Sequence, residues 1–269
     1  MAPGSAAFQQ LSPAQQQAVR DARAFLQERL AGVTPPPTIL VATSAANGGQ
    51  PVTVLVPPGA KPPLEVHTHY HGDRARALST NPAADAMAAA IRGGGSTVYV
   101  LPEAKGTSGR TDWTNVSNTA QTTADALAQA GLGDADISRR SLSVHSAGGR
   151  ALVQALKAGE QLTLDQLVIQ DALFEGETGP GAATALKQLL PGASANVADI
   201  VLVPSVANRA MPDRDQPTKN RTVVLDETLR AAGRRVQVLP SASTHDAAAA
   251  VLRPSGPVRV TAAVDTFGR

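Results

Sequence analysis

From residue 64 onward the chain repeats one rhythm: a short run rich in β-branched residues, then a helical stretch of roughly ten to fifteen residues. The runs are Leu64 to His71, Thr97 to Leu101, Ser141 to His145, Gln166 to Gln170, Ile200 to Pro204 and Arg235 to Leu239. Between them Ala83 to Arg92, Thr119 to Ala130, Ala147 to Lys157, Ala182 to Leu190 and Thr222 to Ala232 carry helical patterns. Strands alternating with helices of this length predict an α/β fold, a mostly parallel sheet with helices on both faces.

The opening departs from that rhythm. Ser12-Pro13-Ala14-Gln15 sets an N-cap, a proline at the first helical position and a capping-box glutamine in register, which predicts a helix to about Leu30. Thr34-Pro35-Pro36-Pro37 stops it. Thr38 to Thr43 and Val52 to Val56, joined around Asn47-Gly48, then read as an antiparallel hairpin. The expected organisation is an N-terminal helical extension, residues 1–37, and a single α/β domain, residues 38–269. A chain of this length buries roughly 70% of its extended surface, enough for a sizeable core.

Composition removes several classes of function. Hydrophobic residues are 42% and charged residues 17%, the reverse of a disordered chain. The 24 basic against 22 acidic residues leave +2, and the basic pairs Arg74/Arg76, Arg139/Arg140 and Arg234/Arg235 are scattered, so no nucleic-acid partner is expected. The absence of cysteine excludes a disulfide framework, a thiolate nucleophile, cysteine zinc sites and iron–sulfur clusters. No apolar run approaches the length of a membrane span, and Met1 to Gln17 lacks the regions of a signal peptide. A soluble chain is expected, cytoplasmic by default and secreted if a leader has been trimmed.

The sharpest local signal is Leu142-Ser143-Val144-His145-Ser146-Ala147-Gly148-Gly149, where a predicted strand runs straight into a helix with a serine at the turn. Such a turn strains the serine backbone and exposes its Oγ, while small neighbours let strand and helix approach. The helix N-terminus also aims free N–H groups at the place where an oxyanion forms. His145-Ser146-Ala147-Gly148-Gly149 resembles the His-Ser-x-Gly-Gly elbow of the α/β-hydrolase superfamily. The superfamily usually has a small residue two places before the serine. Here it is Val144, whose branched side chain is expected to crowd the turn.

The resemblance implies a chain order of Ser, then Asp or Glu, then His, each after a strand. Of the five histidines, His245 follows the last predicted strand, where the base is implied. Asp171 directly ends Gln166 to Gln170 and is the favoured acid; Asp213 and Asp215, in the long loop after the next strand, are the alternatives. His71-Gly72-Asp73 resembles the superfamily's strand-His-Gly motif, which makes the N–H of Gly72 or Asp73 the second oxyanion donor beside that of Ala147. The implied activity is a serine hydrolase acting on a small-molecule ester or amide, with no cofactor and no metal.

Two readings from other classes stand beside it. His67, His69 and His71 share one strand face and could chelate a metal, with His145 and His245 supplying further ligands of a metal-dependent hydrolase. The alternative is a non-catalytic binding protein on a hydrolase-like scaffold, favoured by Val144 and the ambiguous acid. Trp113, the lone tryptophan, lies in the long loop Pro102 to Asn118, where it either lines a pocket or anchors the loop.

Overall fold

The computed structural model describes residues 6–72, 82–105, 112–174, 181–240, 242, 248 and 250. A short helix, α1 (Ala6–Gln9), and a longer one, α2 (Pro13–Arg29), precede the antiparallel hairpin of β1 (Thr38–Thr43) and β2 (Pro51–Val56). The capping box at Ser12 forms as its spacing predicts: the hydroxyl accepts the Gln15 N–H at 3.3 Å and the Gln15 side chain accepts the Ser12 N–H at 2.9 Å. There follow β3 (Leu64–Tyr70), α3 (Pro82–Arg92), β4 (Val98–Pro102), α4 (Thr119–Gln129), β5 (Ile137–His145) and α5 (Gly149–Lys157). The chain continues through β6 (Thr163–Gln170), α6 (Ala182–Ala193), β7 (Asn196–Val203), α7 (Val206–Arg209), α8 (Arg221–Ala231) and β8 (Val236–Val238).

Among the described residues eight strands form one sheet, in the order β1-β2-β4-β3-β5-β6-β7-β8. Only β2 runs against its neighbours; every pair from β4 to β8 is parallel. From the C-terminal ends of the neighbours β3 and β5 the chain leaves to opposite faces, through α3 on one side and α5 on the other. Such a divergence opens the crevice where α/β sheets bind ligands.

The two faces differ in chemistry. On one, Tyr70, Leu142, Val144, Leu167, Ile169 and Leu202 pack under Leu152 of α5, Leu186 and Leu190 of α6 and Leu225 of α8. Each fully buried aliphatic side chain there contributes about 1.5–3 kcal/mol. On the other, α2 and α3 cover Ile39, Leu55, Tyr99 and Leu101 with Phe25, Leu26 and Met87. The middle of that second face is polar: His67 and His69 of β3, Ser141 and Ser143 of β5, and Gln166 and Gln170 of β6 are all buried, in register across three strands.

Strands β5, β6 and β7 begin earlier than their apolar runs suggest, at Ile137, Thr163 and Asn196, because their first residues are largely exposed and polar. The short helix α7, capped by Ser205, falls in the segment read as loop. Among the described residues no helix is long and apolar enough to cross a membrane.

Candidate active site

Strand β5 ends at His145, and Ser146 opens a single 3-10 turn that leads into α5. Ser146 has φ 50°, a left-handed conformation that costs a non-glycine residue about 1–2 kcal/mol. Among the described residues only one other non-glycine residue has positive φ, Asp171 at 48°. The two are neighbours: His145 pairs with Gln170, so Ser146 and Asp171 are the next residues off the ends of adjacent strands.

The elbow is closed by two glycines. A Cβ on Gly148 would stand 2.2 Å from the carbonyl oxygen of Tyr70, and one on Gly149 would stand 2.9 Å from the Cβ of Ala172. Close approach of the helix to the ends of β3 and β6 therefore depends on their missing side chains. Val144 does not obstruct this. It is fully buried in the core under α5, and the turn forms with Gly148 and Gly149 providing the room.

Gly72, two residues beyond β3, lies against the serine. A Cβ there would meet the Ser146 Cβ at 2.7 Å, His145 Nδ1 at 3.0 Å and Ser146 Oγ at 3.3 Å. The loop is held by His71, whose Nδ1 lies 2.9 Å from the Gly72 carbonyl oxygen. Trp113 is buried edge-on against both Tyr70, at 5.2 Å between ring centres, and His71, at 5.0 Å. It thus anchors the loop after β4 to the end of β3. Ala147 is buried in the first turn after the serine, where N–H groups have no partner within the helix. Asp73 and His245, expected as oxyanion donor and base, lie outside the described residues.

Asp171 is buried, and its Oδ1 accepts the Ser205 N–H at 2.9 Å. The chain after β8 returns toward this point. Ala242 forms a bridge with Ser205, donating to the Pro204 carbonyl at 2.9 Å and accepting the Val206 N–H at 3.1 Å.

The alternative carboxylates are engaged elsewhere. Lys187 Nζ bonds both oxygens of the fully buried Asp213 side chain, at 2.8 and 2.7 Å, and Asp215 at 2.9 Å. Burial alone would pull the Lys187 pKa down, but these bonds outweigh it and hold it above the ordinary value. Burial would likewise raise Asp213, yet the Lys187 bonds and the Asp215 and Gln216 N–H groups hold it below the usual carboxylate range. Nearer the end of β7 stands Asn208, buried and lining a small cavity together with Asp171, Leu173 and Thr222.

The strand histidines are bonded to serine hydroxyls. His67 Nδ1 and Nε2 lie 2.8 Å from the hydroxyls of Ser141 and Ser143, and His69 Nδ1 lies 2.7 Å from Ser143. Ser141 donates to the Val66 carbonyl, so it accepts from His67; Ser143 then donates to His67 Nε2 and accepts from His69. This one-way chain is complete with both rings neutral. Burial, and then the proximity of His67, His145 and His71, holds the His69 pKa well below the ordinary value. Among the described residues no group of three or more potential ligands is placed to hold a metal.

No family model matches the chain, and no curated protein matches it. Solved structures do. A thermostable esterase from Pseudomonas putida ECU1011 superposes with TM-score 0.51 at 18% identity, over 90% of this chain and 86% of that one. Two mutants of esterase rPPE superpose with TM-score 0.50 at 18% and 20% identity, covering 89% and 85% of this chain and 86% and 81% of theirs. The fold is that of the α/β hydrolases, as the elbow sequence implied.

Proposed function

We propose that this chain is a serine hydrolase that cleaves a carboxylic ester, or an amide, of a small molecule through an acyl-enzyme. The observation that carries the reading is Ser146, held at positive φ at the C-terminal edge of β5 with Gly72 packed against it. In this reading Ser146 Oγ attacks the carbonyl while His245 takes its proton and later delivers it to the leaving group. Asp171 orients the imidazole and stabilises its charged form. The N–H groups of Ala147 and of Gly72 or Asp73 receive the negative charge of the tetrahedral intermediate. Asp171 is preferred to Asp213 and Asp215 because it sits beside the serine, whereas Lys187 holds the other two. The chemistry calls for no cofactor, and the esterases of similar fold favour esters as the first substrates to try.

The test is labelling with a fluorophosphonate probe, with mass mapping of the modified peptide, on the wild type and Ser146→Ala. A stoichiometric adduct on Ser146, together with turnover of p-nitrophenyl esters that falls by about 10⁶-fold in the variant, is the expected result. Folded wild type that is neither labelled nor active would leave a binding protein on this scaffold.

A further inference from the structure

Glu103 takes no part in the chemistry above, yet it stands directly behind it. The residue follows β4 and is buried, with its Oε2 3.6 Å from Nε2 of His71, a side chain buried in its turn. The opposite ring nitrogen, Nδ1, is 2.9 Å from the Gly72 carbonyl oxygen. A carbonyl only accepts, so Nδ1 carries a proton and donates. On its other side the ring turns Nε2 toward the Glu103 carboxylate, so the carbonyl and the carboxylate flank the imidazole at its two nitrogens.

Resting on the serine-hydrolase reading, we infer that Glu103 is a positioning residue for the oxyanion hole, acting through His71 on Gly72. The Gly72 carbonyl accepts from His71, and the N–H of the same residue is one of the two donors proposed above. A residue tied at its carbonyl cannot rotate without breaking that bond, so Gly72 keeps one orientation against Ser146. Glu103 itself is braced. Its N–H donates to the Pro51 carbonyl at 2.9 Å, and its own carbonyl accepts from Asn47 Nδ2 at 3.1 Å. Asn47 belongs to the β1–β2 turn and forms a bridge with Val116, while Trp113 packs on the His71 ring. The hairpin turn, Glu103, His71 and Gly72 thus form a continuous strut that ends at Ser146.

The experiment compares Glu103→Ala and Glu103→Gln with the wild type, by steady-state kinetics on p-nitrophenyl esters and by long-range ¹H–¹⁵N correlation of the imidazole rings, with His71 assigned from His71→Gln. Removing the brace lowers kcat at least about tenfold with KM within about twofold, since an oxyanion donor acts only in the transition state. Glu103→Gln, which keeps the length of the side chain and a polar group facing Nε2, restores kcat to within about threefold of wild type. The spectrum has His71 protonated at Nδ1 in the wild type and in Glu103→Gln, and that fixed state is lost in Glu103→Ala. An unprotonated Nδ1 in the wild type overturns the inference, and so does an unchanged kcat in Glu103→Ala. A wild type that turns over no ester and is not labelled at Ser146 defeats the hydrolase reading instead, and the ring spectrum still decides whether Glu103 holds His71.

Discussion

Gly72 and Ser146 touch so closely that a single methyl group on the first would stand 2.7 Å from the Cβ of the second. Gly72→Ala therefore forces the loop after β3 away from the serine. The expected outcome is a fall in kcat on p-nitrophenyl esters of about 10²-fold, the size of losing one oxyanion donor. Chemical denaturation should register about 1–3 kcal/mol of lost stability, typical of overpacking.

The positive φ of Ser146 is itself measurable. Glycine normally destabilises relative to alanine, but at φ 50° alanine carries a steric penalty that glycine does not. Ser146→Gly should be more stable than Ser146→Ala by about 1 kcal/mol in urea titrations, with both variants inactive. Equal stabilities, or alanine ahead, would mean the elbow is not strained.

The two acid candidates separate by assay. Asp171→Asn should keep the fold and lose about 10⁴-fold in kcat, as expected when the residue orienting a catalytic histidine is neutralised. Asp213→Asn should leave kcat within about threefold and cost about 2 kcal/mol, because Lys187 keeps Asp215 but loses its buried partner. Since Asp213 is held below its ordinary value of 3.8, the stability it contributes is present above that pH and lost as pH falls further. Asp213→Asn should accordingly flatten the acid limb of the stability curve.

The buried histidines set a different pH dependence. His69 is depressed below its ordinary value of 6.5, so near and below that pH the unfolded chain binds a proton that the folded chain refuses. Stability is full above 6.5 and declines as pH drops through it toward the folded value. Urea midpoints at pH 7.5 and 5.5 measure the decline. Ser143→Ala, which strips the bonds from His67 Nε2 and His69 Nδ1, should cost about 2–3 kcal/mol at neutral pH.

Local chemistry made much of this readable in the residues. β1 falls at Thr38–Thr43, where its β-branched run lies, and the Ser12 capping box forms because all its partners sit within four residues. The insertion of β4 between β2 and β3 was not readable, since no local pattern encodes which strands pair. The turn after β5 was legible because its chemistry needs a serine and two glycines in sequence. The strut was not. Glu103, Asn47 and His71 come from three separate segments, and a single carboxylate after a proline carries no pattern of its own.

The polar stripe of His67, His69, Ser141, Ser143, Gln166 and Gln170 also acts as a key for alignment. The side-chain period of a strand is two, so sliding β3 by one residue against β5 would turn the histidines toward Leu152 and the α5 core and bring Val66, Thr68 and Tyr70 against the serines. An all-aliphatic sheet centre tolerates such a slip far better than one where each ring nitrogen must find its hydroxyl. The buried serines and histidines thereby discriminate against misaligned sheets, and Gly72 meets Ser146 only in the one alignment they permit.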